Sequence, residues 1–281
     1  MSDQCALRQL TTDGLCLVES VIPTDLVAAV RDEVSAAVAV HRERTERELA
    51  RTRAGGHRVG TPGVGALLQA INEVQSFAGY LADERILALA EAAFGQYVRI
   101  SSTGGIVNDP GTERGYWHAG WPYNQTNASH ICTPYPDVIM HLTTIWMLTP
   151  FTVENGGTLV VPGSHRSSNN PADGGISEVD PDRPYPTEAQ VTGAAGSVLV
   201  LDSRLWHAVA PNRSSEPRIA IVVRYAPWWL NLNPTQNGTP EHAQMVIETG
   251  AKAYVIPPVR AEVYERLPEQ VQPLLRHWVA P

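Results

Sequence analysis

Two histidines, one arginine and one glycine carry the chemical signal in this chain. His118 stands in the run Tyr116-Trp117-His118-Ala119-Gly120-Trp121-Pro122, and His207 follows Trp206 much further on. Neutral imidazole is a frequent ligand of first-row transition metals, and two histidines with one carboxylate hold iron(II) while leaving positions open. Arg218 lies eleven residues after His207, where a planar guanidinium can take a carboxylate through two parallel hydrogen bonds. The set predicts a mononuclear non-haem iron site that uses 2-oxoglutarate. One ligand is missing from it: the acidic position of a His-x-Asp pair is Gly120.

Such a site needs strands to bring distant residues together. A short buried strand is expected at Gly14–Glu19, then a helix capped by Thr24, with Leu26, Val27, Val30, Val34 and Val38 recurring at helical spacing. The charged run His41–Arg53 continues that helix as a solvated face until Gly55-Gly56. Two further helices are expected at Ala66–Leu81 and Asp83–Phe94. The pattern then turns to strands: Tyr97–Ser102, Gly104–Asn108, Val138–Leu148 and, after the turn Glu154-Asn155-Gly156-Gly157, Thr158–Val161. Arg166–Gln190 reads as an irregular excursion. Strands return at Gly196–Leu201, Trp206–Val209 and Ile219–Tyr225, and the tail Arg260–Val279 reads as helix interrupted by Pro268 and Pro273. Helices followed by many short strands predict a mainly β fold, a double-stranded β-helix or jelly roll with an N-terminal helical layer. One domain spans 1–281: a helical layer over about 20–95, a jelly-roll core over about 97–230 and a helical tail over about 260–279.

Composition narrows the partners. With 281 residues, 43% hydrophobic and 18% charged, the chain is an ordinary globular one. A net charge of −8 argues against nucleic acid or an anionic membrane. Lys252 is the only lysine, so an anion clamp must be built mainly from arginine, histidine or backbone N–H groups. Cys5, Cys16 and Cys132 form neither a disulfide framework nor a zinc motif and suit a reducing compartment. No leader-like segment or membrane-spanning run is visible, so a cytoplasmic location is expected. HExxH, GxSxG, Walker and dinucleotide motifs are all missing.

Four stretches taken together resemble the phytanoyl-CoA dioxygenase family: "IPTDLVAAVRDEV" after the first strand, "YWHAGW", "ENGGTLVVPGSHR" and "WHAVAPNRSSEPRIAIVVRY", from about residue 10 to residue 230. The resemblance implies that His118 and His207 ligate iron(II), that Arg218 clamps the distal carboxylate of 2-oxoglutarate and that Asn212 lies near it or forms a turn. It also implies dioxygen as co-substrate and an unactivated C–H bond as target. Gly120 departs from the family pattern. It leaves three readings: a chloride site in a halogenase, a hydroxylase whose Asp has been replaced, or a metal completed by another acid (Asp109, Glu113 or Asp137) or lost altogether. Tyr116, Trp121, Tyr123, His141 and Trp228 are candidates for a substrate pocket. The expected partner is a small molecule such as a natural-product intermediate, with a carrier protein disfavoured by the lack of a basic surface. The reading outside enzymology is a jelly-roll binding protein that has lost its metal.

Overall fold

The computed structural model describes residues 3–54, 58–120, 137–167, 170–172, 179–248 and 256–280. Helix α1 (Asp3–Asp13) precedes strand β1 (Leu15–Val18), and the long α2 (Val27–Ala54) follows. Strand β2 (Val64–Leu68) and two single-turn helices (Ala70–Asn72 and Ala78–Ala82) lead to α3 (Glu84–Phe94). Seven strands come next: β3 (Arg99–Asn108), β4 (Leu142–Met147), β5 (Leu159–Val160), β6 (Ala189–Gln190), β7 (Val198–Asp202), β8 (His207–Ala208) and β9 (Arg218–Ala226). Short helices α4 (Pro240–His242), α5 (Ala261–Tyr264) and α6 (Gln272–Leu275) occupy the C-terminal part. Among the described residues no helix is long and apolar enough to cross a membrane.

The strands form two antiparallel sheets, the major one ordered β1-β7-β4-β9-β3-β2 and the minor one β6-β5-β8. An isolated bridge between His118 and His207 extends the minor sheet. Side chains alternate across a strand, so β4 and β9 each serve two layers. Ile145, Met147, Leu199, Leu201 and Ala220 form the filling between the sheets with Phe151, Val160 and Leu205. Their neighbours Leu142, Trp146, Val198, Val200, Ile221, Val223 and Tyr225 pack into the core shared with the helices. Covered on both faces, β4 and β7 are buried at every position; β7 reads as the apolar run Val198-Leu199-Val200-Leu201, while β4 admits Thr143 and Thr144, whose hydroxyls are hydrogen-bonded.

Helix α2 lies on the outer face as its periodicity requires, burying Val27, Val30, Val34 and Val38. Leu26 falls outside the stripe and is 46% exposed, and Gly55-Gly56 lie outside the described residues. The helix comes so near the sheet that a Cβ on Gly105 would sit 3.2 Å from Val38 and 3.3 Å from Val34. Helix α3 is capped as expected: the Asp83 carboxylate accepts from Arg85 N, and Gly95 ends it at φ +78.

The expected helix over Ala66–Leu81 is not formed. Val64–Leu68 instead pairs residue for residue with Asn108–Gly104, and Leu67 becomes 1% exposed. Pairing with β3 overrides the local helical spacing. The sheet therefore takes β2 from the segment read as a helical layer, while β1 falls where a strand was expected. The two strands expected between Tyr97 and Asn108 are one strand, β3, with a bulge between Ile100 and Ser102. The tail is broken more finely than its two prolines suggest, and Pro273 sits inside the first turn of α6, where its missing N–H costs nothing.

Candidate functional site

The bridge between the end of the Tyr116–Gly120 segment and β8 aligns two imidazoles. His118 N donates to His207 O at 3.1 Å and His207 N returns to His118 O at 3.0 Å. This places the ring centroids 4.3 Å apart with planes inclined at 54°. Each ring is held by its Nδ1–H. That of His118 donates to the Tyr116 carbonyl at 3.2 Å and that of His207 to the Leu205 carbonyl at 2.8 Å. A carbonyl can only accept, so both rings are fixed in the Nδ1–H tautomer and both Nε2 atoms present lone pairs. Burial favours the neutral form. It lowers His207 to about 3, helped by His118, and His118 to about 4 although that ring keeps a partly open face on the cavity. Two oriented, neutral imidazoles are what a divalent metal requires.

The structure supplies no third ligand from the expected places. Among the described residues, no group of three or more His, Cys, Asp or Glu side chains gathers as a metal site. Asp109 is paired with Arg42 at 2.8 Å, Glu113 is exposed, and Asp137 is turned outward against Arg204. The reading in which one of these acids completes the metal shell is therefore corrected. A side chain on Gly120 would begin 3.3 Å from both Cβ and the carbonyl oxygen of Ser203 and 3.5 Å from Thr143 Oγ1.

His141 lies behind this position instead of lining the pocket. It is fully buried, with Nδ1 2.8 Å from Ser203 Oγ and Nε2 2.8 Å from Ser101 Oγ. A further 2.8 Å contact joins Ser203 Oγ to Thr143 Oγ1.

Arg218 opens β9 on the face turned to the sheet interior, 4% exposed, with its guanidinium 4.5 Å over the Phe151 ring. Its Nε has no hydrogen-bond partner, and among the described residues no carboxylate pairs with the group. Burial pulls its pKa down to about 10. A buried cation without a counter-charge is costly and fits an anion that arrives from outside. Asn212 has a different task. Its amide donates to Asn108 O and Glu216 O and accepts from Ser214 N and Oγ. All four hydrogen-bonding positions are committed, three within the turn before β9 and one to the end of β3.

A cavity of about 280 Å³ opens in front of His118 and Gly120. Tyr116 lines it, its hydroxyl donating to Arg58 O at 2.6 Å. Gln69, Thr103 and Arg224 line it as well, none of them foreseen. Arg224 had a usable signal, since an even spacing from Arg218 on one strand puts both on the same face. Gln69 had none: it is a buried residue at φ 50 whose amide joins Thr103 to Pro257. Trp228 is 59% exposed and outside the cavity, so its assignment to the pocket is corrected. Trp121 and Tyr123 lie outside the described residues.

A sequence model of the family described as phytanoyl-CoA dioxygenase (PhyH) matches residues 10–220, most of the chain. The chain belongs to the phytanoyl-CoA dioxygenase family. This is a family of iron- and 2-oxoglutarate-dependent oxygenases. Among curated relatives, dioxygenase af480 of Aspergillus fumigatus is 30% identical over 145 residues, 52% of this chain and 42% of its own length. The aligned region thus spans less than half of that relative. An uncharacterized protein of Mycobacterium tuberculosis is 27% identical over 217 residues, 74% of this chain and 69% of its own. Among solved structures, the carbocyclase SnoK from nogalamycin biosynthesis superposes with a TM-score of 0.59 at 22% identity, over 81% of this chain and 84% of its own. HygX from Streptomyces hygroscopicus, solved with nickel and 2-oxoglutarate bound, gives 0.55 at 19%, over 80% and 87%. At these identities the likeness establishes the jelly-roll fold that the phytanoyl-CoA dioxygenase family shares.

Proposed function

We propose that this protein uses iron(II) and 2-oxoglutarate to functionalise a C–H bond of a small molecule, with halogen transfer as the outcome. The observation that carries the reading is the histidine pair: two neutral rings locked with Nε2 outward, beside a glycine where the third protein ligand would stand. His118 and His207 would hold the iron, and Arg218 would take the distal carboxylate of 2-oxoglutarate. HygX, which binds nickel and 2-oxoglutarate, offers a precedent on the same fold. When bound, the pair of cofactors reduces dioxygen while 2-oxoglutarate becomes succinate and carbon dioxide, and the oxidising equivalents fall on the substrate.

The chain contributes position and exclusion. Leu67, Ile106, Val209, Val222 and Ile256 give the cavity apolar walls that hold an organic substrate and keep water out. Gly120 leaves a ligand position for an exogenous anion, and the distance of the substrate carbon from that anion decides what is transferred.

The test compares the parent with Gly120→Asp, each with and without chloride, by 2-oxoglutarate turnover and product mass. The expected result is chloride-dependent turnover and a halogenated product in the parent, both lost in Gly120→Asp. Chloride-independent turnover by the parent that rises in Gly120→Asp would make the enzyme a hydroxylase and defeat halogen transfer. Failure of the parent to bind metal or 2-oxoglutarate would leave a jelly-roll binding protein.

A further inference from the structure

We propose that the cavity takes a carboxylic acid with a flat apolar body, its carboxylate held by Arg224 and Ser102 and its body lying on the sheet over Gly104. The inference rests on the metal reading above and names the class of substrate that would reach the histidine pair.

The inner face of the major sheet is the floor of the cavity. Side chains alternate across a strand, and the half-exposed positions of β2, β3 and β9 place Ala66, Ser102, Gly104, Ile106, Val222 and Arg224 on that floor. Strand register sorts them into rows: Ala66 beside Ile106, Gly104 beside Val222, and Ser102 beside Arg224. One end of the floor is therefore apolar, and the other carries a hydroxyl and a guanidinium.

The middle row has no side chain on β3, and the fold gives no cause for it. The neighbouring Gly105 faces outward, where α2 leaves no room for a larger residue. Gly104 is under no such pressure. Its backbone is not left-handed. A Cβ on it would meet only two backbone oxygens, Leu67 O at 3.4 Å and Val222 O at 3.9 Å, which are ordinary contacts. A larger residue would fit the strand and fill the cavity. The bare backbone instead offers a level place between the polar row and the apolar one, where a planar ring can rest close to the sheet.

Charge selects the head group. Arg58, the other arginine lining the cavity, is paired with Asp182, and no described residue of the lining is a carboxylate. Thr143, the cross-strand neighbour of Arg224, stands 3.5 Å from where a side chain on Gly120 would begin, so Arg224 enters the cavity on the metal side. Its charge is felt at both His118 and His207. Gly120 gives the metal no protein anion. Iron(II) and the 2-oxoglutarate dianion would cancel, leaving the guanidinium groups of Arg218 and Arg224 in excess. A substrate that brings a negative charge is thus favoured over a neutral one. A guanidinium takes a carboxylate through two parallel hydrogen bonds, and one arginine with one hydroxyl matches a single charge.

The experiment is calorimetric titration of the full chain, loaded with nickel and 2-oxoglutarate, with 2-naphthoate and with 2-naphthamide, which has the same shape and no charge. The parent should bind the acid at least about tenfold more tightly than the amide, equal to ~1.4 kcal/mol. Arg224→Gln should abolish that preference by weakening the acid alone, and Arg224→Lys should keep part of it. Gly104→Val should weaken both probes together. Affinity for 2-oxoglutarate should be unchanged in all three variants, which also shows that they fold. Arg218→Met should still prefer the acid. Equal affinity of the parent for the two probes, or binding of neither, overturns the inference and leaves the metal reading standing. An acid preference that survives Arg224→Gln and disappears in Arg218→Met overturns it too, because the acid then sits in the 2-oxoglutarate seat. Loss of 2-oxoglutarate affinity in Arg224→Gln but not in Arg224→Lys does the same by placing Arg224 on the cofactor. A parent that takes up no metal yet prefers the acid through Arg224 supports the acid site and overturns the metal reading.

Discussion

Replacing Arg218 with methionine should make the cofactor-free protein more stable and at the same time remove its affinity for 2-oxoglutarate. The guanidinium is 4% exposed, its Nε is unpartnered, and burial brings it down to about 10. A fall of about two to three decades in proton affinity, at ~1.4 kcal/mol per decade, corresponds to a burial cost on the order of 3 kcal/mol. The Phe151 ring 4.5 Å away offsets about 1–2 kcal/mol of that. Methionine fills the space without a charge, so the apo-protein should gain about 1–2 kcal/mol. At this chain length that is a rise of roughly 2–6 °C in Tm. Binding moves the other way. Losing one partner of a desolvated charged pair costs about 2–5 kcal/mol. In the parent, 2-oxoglutarate at a hundred times its Kd should stabilise by about 2.7 kcal/mol; in Arg218→Met the same concentration should do almost nothing. Differential scanning calorimetry reads the first effect on the metal-free protein and the second on nickel-loaded protein with and without 2-oxoglutarate. A variant less stable than the parent yet still stabilised by 2-oxoglutarate would refute the reasoning.

The other expectations are briefer. His118→Ala and His207→Ala should each weaken nickel binding by more than the about 10–100-fold that loss of an outer-shell partner costs, and calorimetric titration with unchanged affinity would remove that histidine from the site. Asn212→Ala should lower stability by about 2–3 kcal/mol, because several turn hydrogen bonds go at once, and leave 2-oxoglutarate affinity unchanged in the same titration. Gly196→Ala should cost more than about 2 kcal/mol, since Gly196 has φ +86 and its Cβ would fall 2.2 Å from the Ile22 carbonyl oxygen; urea melts measure this. Acid should unfold the metal-free protein early. His118 is lowered to about 4, and His207 and His277 to about 3, chiefly by burial. The unfolded chain therefore binds more protons than the folded one from about pH 6.5 down to about 3–4, and stability falls as pH drops through that window. Urea midpoints flat from pH 7 to 4.5 would contradict it.

Much of the site could be read from the chain because its carriers obey local rules. His118, His207 and Arg218 stand out by residue type and order, and the valine stripe of α2 and the apolar run of β7 follow from a period of 3.6 and from burial on two faces. The sequence also determined that position 120 has no side chain with which to hold a metal. Only the tertiary structure decided what surrounds that vacancy. Thr143, Ser203 and His141 look like ordinary strand and turn residues, and they meet because β4 pairs with β7 and Ser203 lies just beyond its end. The same holds for β2, which abandons helical spacing for a partner some forty residues on, and for Arg218, with which no carboxylate pairs among the described residues. Contacts between segments distant in sequence are set by sheet register, and a shift of one residue would turn each of these side chains to the opposite face. No window of neighbouring residues encodes that register, so the fold alone fixes which groups share the site.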